Sequence, residues 1–455
     1  MKIEVRNKKV IVAGSGKSGI GATELLCKVG AKIVLYDGNE KLSKEEVREK
    51  LSYDIRDNIE IVIGEMTQEV LKDAVLMVVS PGIPIDAPCV EEARKKEIRI
   101  WGEIELAFQF AKGKIAAITG TNGKTTTTAL TGAILQDYYK DVFVVGNIGN
   151  PYTEAALKTT EDSYTVAEIS SFQLESIEEF SPDVSAILNI TPDHLNRHKT
   201  MENYINIKEK ITENQKEGDI CVLNYEDEEL RKFGEGLSIS VLFFSSKRRL
   251  EEGVFLDGEE IVYQTKEGRK KVCEVSQLHL VGIHNVENVM AAVAITFSLG
   301  VPMERIQKTV KDFKAVEHRI EFVREKDQVV YYNDSKGTNP DASIQAIKAM
   351  SRPTILIAGG YDKNSEYEEY IKAFDGKVRL MVGIGETKEK IAQKARQMGF
   401  SDIIFADTLK EAVEICAKQA CPGDAILLSP ACASWDMFQS YEERGCLFKE
   451  YVNGL

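Results

Sequence analysis

The sequence predicts an α/β protein of three domains built on mostly parallel sheets, and three observations predict it. The first is length: 455 residues exceed what one hydrophobic core organises and correspond to about three domains of ordinary size. The second is a strand, glycine-rich loop and helix pattern that occurs twice, at Val10–Gly19 and at Ile115–Thr128. The third is an ordering: polar and glycine-rich clusters come immediately after apolar runs, not before them. In open α/β sheets ligands bind beyond the carboxyl ends of the strands, so each such cluster is a candidate site.

The first domain opens with the apolar run Val10-Ile11-Val12-Ala13, followed by Gly14-Ser15-Gly16-Lys17-Ser18-Gly19 and a helix-like stretch. A second strand, Lys32–Tyr36, ends at Asp37. A G-x-G-x-x-G between strand and helix, with an acid about 20 residues on, is the dinucleotide fingerprint. Alone it reads as a nicotinamide dehydrogenase, although such a crossover also holds other nucleotide-like ligands. Val75–Val79 is a further buried strand leading into Ser80-Pro81-Gly82-Ile83-Pro84, and the domain runs out near Trp101-Gly102-Glu103.

The second domain opens at Ile115. An apolar strand, the loop Thr119-Gly120-Thr121-Asn122-Gly123, then Lys124-Thr125 and a helix from Thr126 reproduce the layout of a phosphate-binding loop. Loop amides and a helix N-terminus face an anion, a lysine reaches the outer phosphates, and a hydroxyl takes Mg²⁺. The strict pattern would place its first glycine at Ile118, so an ordinary glycine-rich turn stays open as an alternative. Val142–Val145 leads into Gly146-Asn147-Ile148-Gly149, Tyr164–Ala167 into Glu168-Ile169-Ser170-Ser171-Phe172-Gln173, and Ala186–Asn189 into Ile190-Thr191-Pro192-Asp193-His194. Shorter β-like segments around Leu223-Asn224 and from Val241 to Val262 read as an edge addition, and Gly282–Asn288 opens an alanine-rich helix, Met290–Phe297.

The third domain begins near Phe313. Its strands are Val329–Tyr332, Thr354–Ala358, Leu380–Val382 and Ala425–Leu428. They lead into Asp334-Ser335-Lys336-Gly337-Thr338-Asn339, Gly359-Gly360-Tyr361-Asp362-Lys363, Gly383-Ile384-Gly385 and Ser429-Pro430-Ala431-Cys432-Ala433-Ser434.

Composition narrows the function classes. A net charge of −14 offers no basic footprint for nucleic acid, yet leaves phosphate ligands open, because a phosphate loop works with backbone dipoles and one lysine. The start, Met1-Lys2-Ile3-Glu4-Val5-Arg6, has no apolar leader and no run is long enough to span a bilayer, so a protein of the cytosol without membrane insertion is expected. The 8 cysteines stand without C-x-x-C pairs, as expected of reduced buried thiols. No Ser-His-Asp spacing and no H-E-x-x-H occurs.

Several residues carry candidate chemistry. Glu168 ends a strand about forty residues after the phosphate loop, where an acid holds Mg²⁺ in such enzymes; a solvent-facing strand end is the bland reading. His194 suits a metal or substrate contact as well as a structural hydrogen bond. Lys208 interrupts the apolar helical stripe Met201, Tyr204, Ile211: it either snorkels to solvent or is a desolvated lysine of lowered pKa. His318-Arg319, the Asp334–Asn339 loop and Lys363 offer charge for phosphate or carboxylate, with surface ion pairs as the alternative.

Together these residues resemble the Mur ligase family, the ATP-dependent amide-bond synthetases of peptidoglycan precursor assembly. The loop Thr119–Thr126 matches that family's variant, which accounts for the missing first glycine. Leu428–Asp436, continuing through Phe438 to Glu443-Arg444-Gly445, resembles the D-glutamate-adding branch. Gly146–Gly149, Glu168–Glu175 and Asp334–Asn339 add to it, and the likeness spans nearly the whole chain.

The resemblance implies a Rossmann-like N-terminal domain over 1–103 that holds UDP, not NAD. It implies a central P-loop ATPase-like domain with a parallel sheet over 104–314, and a Rossmann-like α/β domain over 315–455 that receives the amino acid. The implied activity is ligation of D-glutamate to UDP-N-acetylmuramoyl-L-alanine through an acyl phosphate, with ATP and two Mg²⁺, by a cytoplasmic monomer. Lys124 would contact the β- and γ-phosphates, Thr125 and Glu168 one Mg²⁺, and His194 with a carbamylated Lys208 the second. Gly120, Thr121, Asn122, Gly123, Thr126, Asn285, Asn288, Arg319, Asp334 and Lys336 would complete the ATP site. Ser15, Gly16, Lys17, Ser18, Asp37, Ser80, Gly82, Asn147, Ser170 and His194 would touch the UDP substrate, and Thr338, Lys363, Ser429 and Phe438 would receive D-glutamate. The basic residue often found two places after the strand-end acid is here Asn39. A sibling amide ligase of folate or diamino-acid type is the nearest rival, but the diamino-acid motif Asp-Asn-Pro-Arg is absent. A nicotinamide oxidoreductase and an ATP-holding module without chemistry are the others. Because ATP and substrate groups come from all three thirds of the chain, closure of the third domain is expected.

Overall fold

The computed structural model describes residues 4–147, 150–314, 316–363 and 365–455. Ile148 and Gly149 of the Gly146–Gly149 motif, and residue 315 at the expected start of the third domain, lie outside the described residues.

The first sheet holds β1 (Lys9–Ala13), β2 (Lys32–Asp37), β3 (Glu60–Ile63), β4 (Ala74–Val79) and β5 (Arg99–Gly102). Their order is β3-β2-β1-β4-β5 and every pair is parallel. Helices cover both faces of such a sheet, which is why its strands read as continuous apolar runs. The strand order reverses between β1 and β4, so the loops leaving those two strands open the crevice at the switch point. These loops are Gly14–Gly19 and Ser80–Pro84, with Asp37 closing β2 beside them.

The second sheet has nine strands in the order β14-β13-β12-β11-β10-β9-β6-β8-β7. They are β6 (Lys114–Thr119), β7 (Val142–Gly146), β8 (Tyr164–Glu168), β9 (Val184–Ile187), β10 (Ile220–Asn224), β11 (Ser240–Ser245), β12 (Gly253–Asp257), β13 (Glu260–Thr265) and β14 (Gly268–Glu274). β6 sits between β8 and β9, so the phosphate-loop candidate leaves the sheet flanked by the Glu168 and Ile190–His194 segments. The expected addition at the edge is present and longer than the sequence suggested, running from β10 to β14. β10, β11 and β12 extend the parallel sheet, and the β12–β13 and β13–β14 pairs at its edge are antiparallel. β14, Gly-Arg-Lys-Lys-Val-Cys-Glu, is too charged to have been read as a strand; it stands at the edge, where charge guards against stray pairing.

The third sheet is β15 (Glu321–Lys326), β16 (Val329–Asn333), β17 (Thr354–Ala358), β18 (Val378–Gly383), β19 (Ile403–Phe405) and β20 (Ala425–Leu428), in the order β15-β16-β20-β17-β18-β19. All pairs are parallel except β15 with β16. The two strands that the apolar runs did not predict, β15 and β19, are the two edges.

The chain divides into two compact units, Met1–Glu274 with Asn288–Val310, and Val275–Glu287 with Lys311–Leu455. The first holds the first two sheets and the second holds the third. Where the first domain was expected to run out, the backbone enters a buried helix, Glu103–Phe110, instead of an exposed linker. Ile104, Leu106 and Ala107 share one apolar cluster with Val10 and Val12 of the first sheet and Ile115 and Ala117 of the second. Two buried acids fasten this helix. Glu103 accepts from the Thr153 amide at 2.9 Å, and Glu105 Oε2 accepts from the amides of Glu178, Glu179 and Phe180 at 2.8, 3.0 and 3.0 Å.

Candidate active site

The loop after β6 is built for close approach. Gly123 caps the helix Lys124–Tyr138 at φ +87°, and a Cβ there would stand 2.2 Å from Asn288 Oδ1, so only glycine fits. The loop is fixed from the β9 side. The Thr121 amide donates to Asn189 O at 2.9 Å, the Asn122 amide to Asn189 Oδ1 at 2.8 Å, and the Thr121 hydroxyl to Thr191 O at 3.0 Å. Asn189 was read only as a strand end; its side chain in fact sets the loop. Thr125 and Thr126 are buried in the first turn of the helix.

Lys124 and Lys208 converge here. Lys124 Nζ donates to Gly120 O and Thr121 O, both at 2.8 Å, and Lys208 Nζ donates to the same Gly120 O at 2.8 Å. The helix Met201–Glu209 turns its stripe toward this loop, with the Tyr204 hydroxyl 3.1 Å from Thr121 Oγ1. Lys208 is 1% exposed, so the snorkelling alternative falls. Burial holds its ammonium well below the ordinary lysine pKa; Lys124 adds repulsion and Asp193 opposes it.

Glu168 is buried at the end of β8. Its Oε1 accepts from Asn147 Nδ2 at 2.9 Å, while Oε2 is buried with no hydrogen-bond partner among the described residues. A buried carboxylate oxygen without a donor is a free ligand for a cation. His194 takes a left-handed backbone, φ +52°, and its ring lies 4.9 Å from that of Phe172 with Nε2 3.4 Å from Asp193 Oδ2. Ser170 caps the short helix beside it in a reciprocal capping box with Gln173.

At the first sheet's crevice, Asp37 Oδ2 accepts from the Ser15 amide at 2.8 Å and the Ser15 hydroxyl at 2.6 Å, and Oδ1 from the Asn39 amide at 3.0 Å. Burial opposes these bonds, which outweigh it and hold the carboxyl below its ordinary pKa. Asn39, the departure noted above, thus serves Asp37 through its backbone. Gly19 packs so tightly that a Cβ would meet Gly14 O at 1.8 Å, whereas Gly16 and Gly82 face open space. Lys17 is exposed, and Ser18 and Ser80 are half-buried.

Asn288 belongs to the first unit, with Oδ1 3.3 Å from the Thr127 hydroxyl. The remaining predicted residues belong to the second unit. Asn285 Nδ2 donates to Val281 O at 2.8 Å, and Arg319 is half-buried. Asp334 is buried, accepting from the Ser429 hydroxyl at 2.7 Å and the Ile320 amide at 3.2 Å; burial pushes its pKa up to about 7, against the hydrogen bond from Ser429 and the charge of Arg319. Ser429 Oγ also lies 2.8 Å from Ser343 Oγ and is fully buried. Lys336 Nζ stands 5.7 Å from the Tyr441 ring and Thr338 is half-buried. Lys363 is exposed, its Nζ 5.1 Å from the Trp435 ring, and Phe438 is partly buried against the domain core. Tyr361 and Trp435, which face each other at 5.6 Å, were not singled out from the sequence; a glycine-flanked tyrosine and a tryptophan 74 positions apart carry no shared local signal.

Three family models divide the chain among them: "Mur ligase MurD-like, N-terminal domain" at residues 8–102, "Mur ligase middle domain" at 118–296 and "Mur ligase, glutamate ligase domain" at 318–432. The chain belongs to the Mur ligase family. Among its relatives, the UDP-N-acetylmuramoylalanine--D-glutamate ligase of Lachnoclostridium phytofermentans is 57% identical, with 98% of each chain covered. The enzyme of the same name from Lachnospira eligens is 56% identical over 100% of both chains. Among solved structures, UDP-N-acetylmuramate-alanine ligase MurC of Thermotoga maritima matches at a TM-score of 0.61 and 20% identity, covering 98% of this chain and 99% of that one. The MurF ligase of the same organism, in complex with ADP, matches at 0.60 and 18%, covering 99% and 96%. These structures share the three-domain α/β fold. Family membership also removes the nicotinamide-dehydrogenase reading of Gly14–Asp37.

Proposed function

We propose that this chain joins D-glutamate to UDP-N-acetylmuramoyl-L-alanine in peptidoglycan precursor synthesis. It is an ATP-dependent ligase of the Mur family, and the names of its full-length relatives support the choice of substrates. The observation that carries the chemistry is the convergence of Lys124 and Lys208 on the Gly120 carbonyl of a loop whose neighbour strand ends in Glu168.

In this reading an oxygen of the alanine carboxylate attacks the γ-phosphorus of ATP, the bond to ADP breaks, and an acyl phosphate forms. The amine of D-glutamate attacks the acyl carbon, loses a proton, and phosphate leaves with the oxygen that joined it to the carbonyl. The Gly123 amide, the helix N-terminus and Lys124 hold the β- and γ-phosphates, with Thr125 and Thr126 at the same turn, while the Thr121 and Asn122 amides stay committed to Asn189. Thr125 and Glu168 would hold one Mg²⁺, for which the unpartnered Glu168 Oε2 is suited. His194 and Lys208 would hold a second. A bound Mg²⁺ supplies charge neutralisation of the transferring phosphoryl group. A neutral buried amine is the form of lysine that CO₂ carboxylates, which supports a carbamate on Lys208.

Ser15, Gly16, Lys17, Ser18, Asp37, Ser80 and Gly82 would take the UDP end, and Asn147, Ser170 and His194 the sugar-peptide. Asn285, Asn288, Arg319, Asp334 and Lys336 would complete the ATP site. Thr338, Lys363 and Phe438 would receive D-glutamate, with Ser429 acting through Asp334 and Ser343, to which its hydroxyl is committed. We assign domain limits at 103/104 and 314/315, a monomer and the cytoplasm; no described helix is long and apolar enough to cross a membrane.

Phosphate release from ATP with UDP-N-acetylmuramoyl-L-alanine, Mg²⁺ and a panel of amino acids tests this. Turnover is expected with D-glutamate; turnover with L-glutamate or a diamino acid in its place would overturn the assignment.

A further inference from the structure

Arg197 takes no part in the chemistry above, yet its guanidinium donates to loops that leave both of the first two sheets. It lies in the turn Leu195–His198, directly after His194, and its amide donates back to His194 O at 3.0 Å. Nη1 donates to Pro81 O at 3.0 Å, and Nη2 to Ile83 O at 3.0 Å. Nε and Nη2 donate to the two oxygens of Glu175 at 3.2 and 2.5 Å. The guanidinium plane lies 4.3 Å above the Phe172 ring. Glu175 is 3% exposed, and its Oε1 also lies 3.4 Å from Nδ1 of the buried His198.

The two carbonyls flank Gly82 in the loop that leaves β4 at the switch point. That loop is held to the first sheet by the Ser80 amide on Ala13 O at 2.9 Å and closed on itself by the Ile83 amide on Ser80 O at 2.9 Å. On the other side, Glu175 and Phe172 follow Ser170 in the segment after β8. One side chain therefore joins the loop of the UDP end to the His194 and Ser170 segments of the sugar-peptide end.

We propose that Arg197 is a positioning residue that sets the register between the two ends of the substrate site, so that a ligand anchored at Gly82 presents its far carboxylate in line with the phosphate loop. This rests on the substrate reading of Ser80, Gly82, Ser170 and His194. The role needs a fork of fixed geometry: Nη1 and Nη2 meet two carbonyls while the adjoining edge, Nε with the same Nη2, pairs a carboxylate. Lysine, a point charge with rotatable donors, cannot reproduce it. A 1 Å misplacement of a reacting group costs on the order of 100-fold in rate, so register is a catalytic quantity even though Arg197 touches no reacting atom.

The test compares wild type, Arg197→Lys and Arg197→Ala. Readouts are UDP affinity by titration calorimetry, KM for the UDP-sugar-peptide, KM for ATP, and kcat. Arg197→Lys should bind UDP within about threefold of wild type, keep its KM for ATP, and lose tenfold or more in kcat. Guanidinium ion should restore part of the kcat of Arg197→Ala. A uniform loss of UDP affinity and substrate KM with kcat unchanged would make Arg197 a local support of one loop and overturn the proposal. Wild-type kinetics in Arg197→Lys would overturn it too. Should Arg197→Ala fail to fold, Arg197→Lys carries the test. Asp37→Asn examines the underlying reading separately: unchanged UDP affinity there would remove the UDP assignment while leaving the kcat split of Arg197→Lys to be judged alone.

Discussion

Lys208 shows how far one buried side chain can be argued. Lys208 Nζ donates to one backbone carbonyl and has no carboxylate in hydrogen-bond reach among the described residues, so burial, with repulsion from Lys124, lowers its pKa against the more distant charge of Asp193. Lys208→Ala should lose turnover by 100-fold or more, a magnitude in keeping with loss of a preorganised charge at a phosphoryl-transfer site. Lys208→Arg should not restore it, because a guanidinium stays protonated and cannot take up CO₂. Steady-state phosphate release checks both, and normal activity in either variant would refute the carbamate. Asp334 gives a second prediction, on stability. Its pKa rises from 3.8 to about 7 on burial, so the folded state binds more protons than the unfolded state between those values. Stability then falls as pH rises through that window and levels off above it. Compared with Asp334→Asn, wild type should lose on the order of a few kcal/mol of unfolding free energy between pH 4 and 7. Urea unfolding at several pH values measures this; a difference independent of pH would contradict it.

At the scale of elements, the helix Glu103–Phe110 decides how the first unit holds together. Glu105 Oε2 gathers three consecutive backbone amides, so Glu105→Ala strands three donors, that of Phe180 buried and those of Glu178 and Glu179 part-buried. The cost should be on the order of 3 kcal/mol or more, read from urea midpoints. A loss under about 0.5 kcal/mol, the range of ordinary surface substitutions, would mean that the amides find water. This helix was not legible in the sequence, where Trp101-Gly102-Glu103 looked like the end of a domain. The reason is physical: two of its first three residues are acids, which read as exposed until the amides they meet are known. By contrast β1, β4, β6, β8, β9 and β17 were legible because strands covered on both faces are apolar without interruption. The strands missed, β3, β5, β14, β15 and β19, are short or charged edges whose existence depends on a neighbour. The loops after β1 and β6 were legible through their glycines, of which Gly19 and Gly123 leave no room for a side chain. Arg197 was not, because its partners stand 22, 114 and 116 positions away and no local pattern links them.

For the whole molecule, the candidate residues divide between the two compact units. The phosphate loop, Glu168, His194 and Lys208 belong to the first; Arg319, Asp334, Lys336 and Lys363 belong to the second. A ligase that first phosphorylates a carboxylate and then transfers the acyl group to an amine has use for both sets. Sequence motifs singled out each set as candidates, whereas the polar bonds that hold them, such as Asn189 on the loop or Ser429 on Asp334, emerged only with the fold. The central claim is that the carboxylate of the UDP-linked alanine becomes an acyl phosphate. Its most direct test uses UDP-N-acetylmuramoyl-L-alanine carrying ¹⁸O in that carboxylate, with ATP, Mg²⁺ and D-glutamate, and mass spectrometry of the released phosphate. One labelled oxygen per phosphate is expected, because the bridging oxygen leaves with phosphorus when the amide forms. Unlabelled phosphate released in step with amide formation would contradict the account.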